Sequence, residues 1–151
     1  MVYTSLKNDK IKEIIKLKDK KYRDKYNLFL IEGEHLIEEA IKMNLVKEVI
    51  YEEGYENSKF IPTMIVSKSI YKELTFLETP SSIIGVCKKS DITIQADKIL
   101  AIDKVQDPGN IGTIIRSALG FNFKKILISK NSADVYSPKV IRATQGAIFS
   151  L

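Results

Sequence analysis

The 151-residue sequence has no tryptophan, a single histidine and a single cysteine, and no long apolar run. Each scarcity excludes something. A lone Cys87 inside an apolar stretch can form neither an internal disulfide nor a thiolate zinc cluster. Disulfide scaffolds and structural zinc folds are therefore out, and a reducing compartment, most simply the cytoplasm, is expected. Cys87 is read as a small buried hydrophobe rather than a nucleophile. His35 has no cysteine, histidine or carboxylate pair at ligand spacing, so it is expected as a surface or capping residue and no metal site is expected. The longest apolar runs, Ile83 to Cys87 and Ile99 to Ile102, fall far short of the ~20 residues that span a bilayer. No apolar segment follows the N-terminal lysines as in an export signal. A soluble, untargeted chain is expected.

What is present is a globular composition, 44% hydrophobic, with 24 Lys+Arg against 19 Asp+Glu. The surplus of +5 is unevenly placed. Residues 1 to 25 carry nine basic side chains and four acidic ones, and the rest of the chain balances. Residues 32 to 56 run the other way, with eight Glu against Lys42 and Lys47, and are expected as a solvated acidic face. A basic segment segregated in this way suits a polyanionic partner. Lys16, Lys18, Lys20, Lys21 and Arg23 are its candidate contacts. Tyr22 and Tyr26, four apart, are expected to pack against the domain rather than to stack on bases.

Periodicity divides the chain into alternating helices and strands, an α/β layer fold. Ile11, Ile14, Ile15 and Lys18 mark a first helix with Asn8 or Asp9 as its cap. Leu28 to Ile31, Val46 to Tyr51, Thr63 to Val66 and Ile83 to Cys87 read as strands. Leu36, Ile37, Ala40 and Ile41 mark one intervening helix, and Ser67 caps another. Residues 91–97 are expected as a linker between a domain at 1–90 and a second unit at 98–151. That unit reads strand (Ile99 to Asp103), loop, helix (Ile111 to Leu119), strand (Lys125 to Ile128) and a short helix capped by Ser137 with Pro138 in its first turn. Its 54 residues lie near the lower limit for an independent core, and a parallel sheet needs both faces covered. The second unit is expected to be incomplete.

The stretch Asp103 to Ala118 follows a strand and opens a helix, the end of an open α/β sheet where ligands bind. Pro108-Gly109 specifies a turn, and Asn110 is expected to cap the helix starting at Ile111. Ile111, Ile114, Ile115 and Ala118 form its apolar stripe. Gly112 and Arg116 share another face, so the guanidinium is expected to lie over the bare glycine backbone and to point at the loop, where helix-end N–H groups favour an anion. It is no Walker loop, because no Gly-Lys-Ser/Thr follows, and the full dinucleotide glycine pattern is absent.

Asp107-Pro108-Gly109-Asn110-Ile111-Gly112-Thr113-Ile114-Ile115-Arg116 resembles the first motif of the SpoU (TrmH-type) RNA methyltransferases of the SPOUT superfamily. Ser137 to Phe149 resembles the segment that follows that motif. Phe29-Leu30-Ile31-Glu32-Gly33-Glu34-His35-Leu36 and the basic segment before it are similar to the small substrate-binding domain that precedes many of these catalytic domains. The resemblance implies a ribosomal-protein-like α/β domain that grips structured RNA, rRNA or tRNA, followed by a parallel-sheet SPOUT domain with a C-terminal knot. It implies transfer of a methyl group from S-adenosylmethionine to a ribose 2′-hydroxyl, usually by a homodimer. It assigns Asn110 to the organisation of the active-site loop and Arg116 to catalysis, through contact with RNA phosphate and activation of the 2′-hydroxyl. Two further family motifs, one with a Gly-Asn-Glu-Gly core and one resembling Ile-Pro-Met followed by Ser-Leu-Asn, do not occur in these 151 residues. Since they build the knot and most of the cofactor pocket, the chain is expected to be an incomplete form that binds the cofactor negligibly. A non-catalytic RNA-binding module is the alternative. A phosphate-binding metabolic enzyme is disfavoured, because no acid, base or nucleophile pair accompanies the loop.

Overall fold

The computed structural model describes residues 1–57, 59–90 and 95–151, and the chain divides into two compact units, Met1–Lys89 and Ser90–Leu151. The expected linker falls in part on residues 91–94, outside the described residues. Among the described residues no helix is long and apolar enough to cross a membrane.

The first unit is built on a five-stranded sheet. Its strands are β1 (Val2–Tyr3), β2 (Leu28–Glu32), β3 (Val46–Glu52), β4 (Met64–Val66) and β5 (Ile83–Lys88), in the order β1-β4-β3-β5-β2. β4 runs parallel to β1 and β3, while β5 runs antiparallel to both β3 and β2. All of β5 but Lys88 is buried, which is why it reads as an unbroken apolar run rather than an alternation. Burial pushes the Cys87 thiol up to about 12, so it stays protonated and inert at neutral pH.

Four helices flank the sheet: α1 (Asp9–Lys16), α2 (Lys20–Tyr26), α3 (Glu34–Lys42) and α4 (Lys68–Leu74). Asn8 caps α1, its side-chain oxygen accepting from the N–H groups of Lys10 and Ile11 at 3.0 and 3.3 Å. Ile11, Ile14 and Leu17 drop into a core shared with Leu30, Ile50, Ile70, Leu74 and Val86. The expected stripe through Lys18 is interrupted. Leu17 ends the first helix, and Asp19, accepting from Lys21 N–H at 3.0 Å, starts a second one. Carbonyls released at the break are taken by Arg23, whose Nη1 donates to Leu17 O at 3.1 Å and Lys18 O at 2.8 Å. Gly33 begins α3 at φ 105°, where no neighbouring atom would meet a Cβ; the positive φ alone calls for glycine.

The acidic stretch is not uniformly solvated. Glu32 and Glu52 are buried. Glu32 Oε1 accepts from Tyr71 Oη (2.9 Å), Thr75 Oγ1 (2.8 Å) and Ser81 N–H (3.3 Å), and Oε2 from Phe76 N–H (3.2 Å). The donors come from α4 and the loop that follows it, so one carboxylate ties that loop to β2. Burial and the adjacent Glu32 carboxylate push the Tyr71 hydroxyl well above the usual phenol range.

The second unit contains a parallel pair, β6 (Ile99–Ile102) and β7 (Lys125–Ile128), with helices α5 (Pro108–Gly120) and α6 (Pro138–Thr144) and a closing 3-10 turn (Ala147–Ser150). Ile111, Ile115 and Val140 form its core. Ile99 and Leu127 are exposed on the strands, and Phe121 is exposed just after α5. α5 and α6 approach closely at Gly112, where a Cβ would stand 2.3 Å from Ala143 Cβ and 2.7 and 2.8 Å from the Ala143 carbonyl carbon and oxygen. In an open helix Gly→Ala gains roughly 1 kcal/mol. Here Gly112→Ala is expected to cost about 2 kcal/mol instead, because two of the clashing atoms are main chain. Thermal denaturation of the variant decides between the signs, and an additional Ala143→Gly change should restore only part of the loss.

Candidate functional site

The two candidate sites lie in different units. In the first unit the five basic residues meet different fates. Arg23 is buried and spent on the Leu17 and Lys18 carbonyls, so its assignment as a contact residue is corrected: it holds the joint between α1 and α2. Lys18 Nζ donates to Glu73 O at 2.7 Å and Thr75 O at 2.9 Å and so satisfies the carboxyl end of α4. Lys20 pairs with Asp24 at 2.6 Å, and Lys89 approaches the other oxygen of Asp24 at 2.6 Å. Those two ammonium groups hold the Asp24 carboxyl at about 2.

Lys16 and Lys21 differ. Both are exposed, neither forms an ion pair among the described residues, and their ammonium groups stand 5.1 and 5.5 Å from the Tyr22 ring centroid. Lys25 takes the same position over Tyr26 at 5.5 Å. The two rings are stacked at 6.2 Å with 18° between their planes, and Tyr26 packs on the core. A stacked aromatic pair edged by three lysines is thus fixed on one side of the unit. Lys25 escaped the sequence reasoning, although its three-residue offset from Tyr22 and adjacency to Tyr26 were legible there.

In the second unit the helix begins earlier than expected. Asp107, not Asn110, is the cap: its Oδ2 accepts from Asn110 N–H at 2.7 Å, and Pro108 and Gly109 already lie in the first turn. A carboxylate at the cap with proline directly behind it is the stronger start signal, which leaves the Asn110 side chain exposed and unbonded among the described residues. The bare face of Gly112 holds Ala143 of α6 rather than the Arg116 guanidinium. Arg116 is exposed and makes no hydrogen bond or ion pair among the described residues, while Ile111, Ile115 and Ala118 fill the buried side of α5 without it.

At the carboxyl ends of β6 and β7 the polar groups are committed to one another. Lys104 N–H donates to Ser129 Oγ (3.0 Å), Val105 N–H to Ser132 Oγ (3.1 Å) and Gln106 Nε2 to Asn131 O (3.4 Å), and the two serine hydroxyls lie 3.1 Å apart.

Known proteins match both units. Residues 8–85 fit the model of the MRM3-like substrate binding domain, and residues 97–151 that of the SpoU rRNA Methylase family. The chain belongs to the SpoU rRNA methylase family. It is 39% identical to the 23S rRNA (guanosine(2553)-2′-O)-methyltransferase RlmP of Bacillus subtilis, across 97% of this chain and 62% of that protein. Human mitochondrial rRNA methyltransferase 3 is 31% identical across 89% of this chain and 36% of its own length. This SpoU-family chain therefore spans under two thirds of these relatives. It superposes on an AdoMet-bound rRNA methyltransferase from Sinorhizobium meliloti with a TM-score of 0.80 at 29% identity, covering 100% of this chain and 62% of that one. The SpoU methyltransferase AviRb from Streptomyces viridochromogenes, also with AdoMet, gives 0.80 at 26% identity, with 96% and 62% covered. In this SpoU-family chain these hydrogen bonds join the loops that follow β6 and β7.

Proposed function

We propose that this chain carries the RNA-binding unit and the Arg116-bearing part of the catalytic unit of an rRNA ribose 2′-O-methyltransferase whose methyl donor is S-adenosylmethionine. The observation that carries the reading is Arg116: an exposed arginine, unpaired among the described residues, on a helix whose buried side is filled without it, in the motif where the family places its catalytic arginine. A guanidinium keeps its charge at any working pH. Set beside an RNA phosphate, it holds the backbone and lowers the cost of negative charge on the attacking 2′-oxygen. Asn110, free on the first turn of α5, orders the adjoining loop against the ribose. Lys16, Lys20, Lys21 and Lys25 meet RNA phosphates. AdoMet in two similar structures supports the donor, and the names of the relatives support rRNA as substrate. The same reading puts the protein in the cytoplasm, as the bacterial relative favours, and makes it a homodimer.

The test joins residues 1–151 to the remaining C-terminal part of the Bacillus subtilis relative and follows labelled methyl transfer to rRNA. Alkali-resistant dinucleotides are the expected product, because a 2′-O-methyl group blocks strand cleavage. Methyl label recovered on bases alone refutes the assignment. The 151-residue chain itself is expected to bind structured RNA. With about four phosphates neutralised, log K falls against log salt with a slope of roughly −3. Replacing Lys16, Lys20, Lys21 and Lys25 by Gln should flatten that slope, and an unchanged slope would move the RNA to another surface.

A further inference from the structure

A recess in the first unit is used by none of this. A cleft of about 430 Å³ lies between the end of β3, α4 and the loop before β5, lined by Glu52, Tyr55, Lys68, Tyr71, Lys72 and Ser82 among others. Its size falls within the range of small-ligand pockets.

Three of its features are complementary to one kind of ligand. Glu52 is 8% exposed, and its Oε2 accepts from Ser82 Oγ at 3.0 Å. Among the described residues no buried side-chain oxygen lacks a hydrogen-bond partner, and Glu52 makes no second side-chain hydrogen bond, so Oε1 opens into the cleft. A carboxylate can only accept, and Oε2 keeps a free lone pair beside Oε1. Lys68 and Lys72 lie four apart on α4, exposed and without an ion pair among the described residues, Glu52 included. Tyr55 is 60% exposed, and its main chain is pinned beside Glu52, its N–H donating to Glu52 O at 3.1 Å across a turn in which Gly54 takes φ 88°. The second aromatic residue of the wall, Tyr71, has its hydroxyl occupied by Glu32 and contributes only its ring.

We infer that this cleft binds an unpaired guanine nucleotide of the RNA, with the base edge on Glu52, its face against Tyr55 and the phosphate on Lys68 and Lys72. Guanine alone among the four bases presents two adjacent N–H donors, N1–H and the 2-amino group, on one edge, which matches a carboxylate bidentately. Splayed-out bases read in this way are the usual currency of sequence-specific RNA recognition. Lys68 and Lys72 repel a cationic amine, which would otherwise compete for the carboxylate. The inference rests on reading the first unit as an RNA-binding domain and names what that domain selects.

The test titrates the 151-residue chain with the four nucleoside 5′-monophosphates, followed by NMR shifts at Tyr55 and α4. GMP is expected to bind about tenfold or more tightly than AMP, CMP or UMP. Glu52→Gln, which keeps an acceptor for Ser82, should erase that preference. The double change Lys68→Gln with Lys72→Gln, on exposed positions that leave folding intact, should weaken all four alike. Equal binding of the four by the unaltered chain, or no saturation by GMP in the millimolar range, overturns the inference. If structured RNA still binds with the expected salt slope, the cleft assignment fails alone; if neither ligand binds, the RNA-binding reading of the unit falls with it.

Discussion

Arg116→Ala, placed in the chain completed with its relative's C-terminal part, is expected to lower methyl transfer at saturating RNA by ~10²-fold or more. Its melting temperature should stay with that of the unaltered protein. The two halves of this result have separate causes. Stability is untouched because the buried side of α5 is filled by Ile111, Ile115 and Ala118 and no partner of Arg116 is left behind, so the change belongs with surface substitutions worth about ±0.5 kcal/mol. Activity is expected to collapse because, in the proposed role, the Arg116 charge acts on the reacting ribose and its phosphate. Arg116→Lys keeps the charge but not the planar fork, and should recover only a fraction of the rate. Near-normal turnover by Arg116→Ala would make this an ordinary surface arginine.

Glu32→Ala is expected to have the opposite character, leaving the second unit's chemistry alone and unfolding the first. Four donors converge on one buried carboxylate, and its removal strands Tyr71 Oη, Thr75 Oγ1 and the N–H groups of Phe76 and Ser81. A buried donor left without an acceptor costs about 1–3 kcal/mol, so several together take a large share of the roughly 5–15 kcal/mol that keeps a typical domain folded. Glu32→Gln preserves shape and one acceptor but turns an N–H group toward donors, and should cost about 2 kcal/mol. Urea unfolding separates the three proteins. A Glu32→Ala midpoint within error of the unaltered chain would mean that water replaces the carboxylate without penalty.

Much of the architecture was open to a reading of residue order. β7 runs over Lys125 to Ile128 as its apolar run suggested, and β2, β3 and β5 each extend one residue past the apolar run that marks them. β2 and β5 announce themselves because both their faces are buried. Caps were legible at Asn8, Ser67 and Ser137, each a short oxygen-bearing side chain before a periodic run. The start of α5 was misplaced by three residues because Asn110 and Asp107 are both good caps, and only the Pro108 position distinguishes them. The break between α1 and α2 was hidden in lysine-rich sequence with no proline or glycine to mark it. The burial of Glu32 could not be seen at all, since its partners lie 39 to 49 residues along the chain. Arg23 looked like one more surface cation for a different reason: it donates to carbonyls only five and six residues away, and carbonyl acceptors leave no mark in a sequence.

The joint between α1 and α2 bears on how any mutational survey of this protein will read. Lys18 and Arg23 sit amid the residues a scan for lost nucleic-acid affinity would target first, yet each serves as an internal strut for main-chain oxygens, one at the end of α4 and the other at the end of α1. Their replacement will mimic a binding defect by loosening the scaffold that presents Lys16, Lys21 and Lys25. Affinity lost at positions 18 and 23 will therefore travel with protease sensitivity and early melting, and affinity lost at 16, 21 and 25 will not.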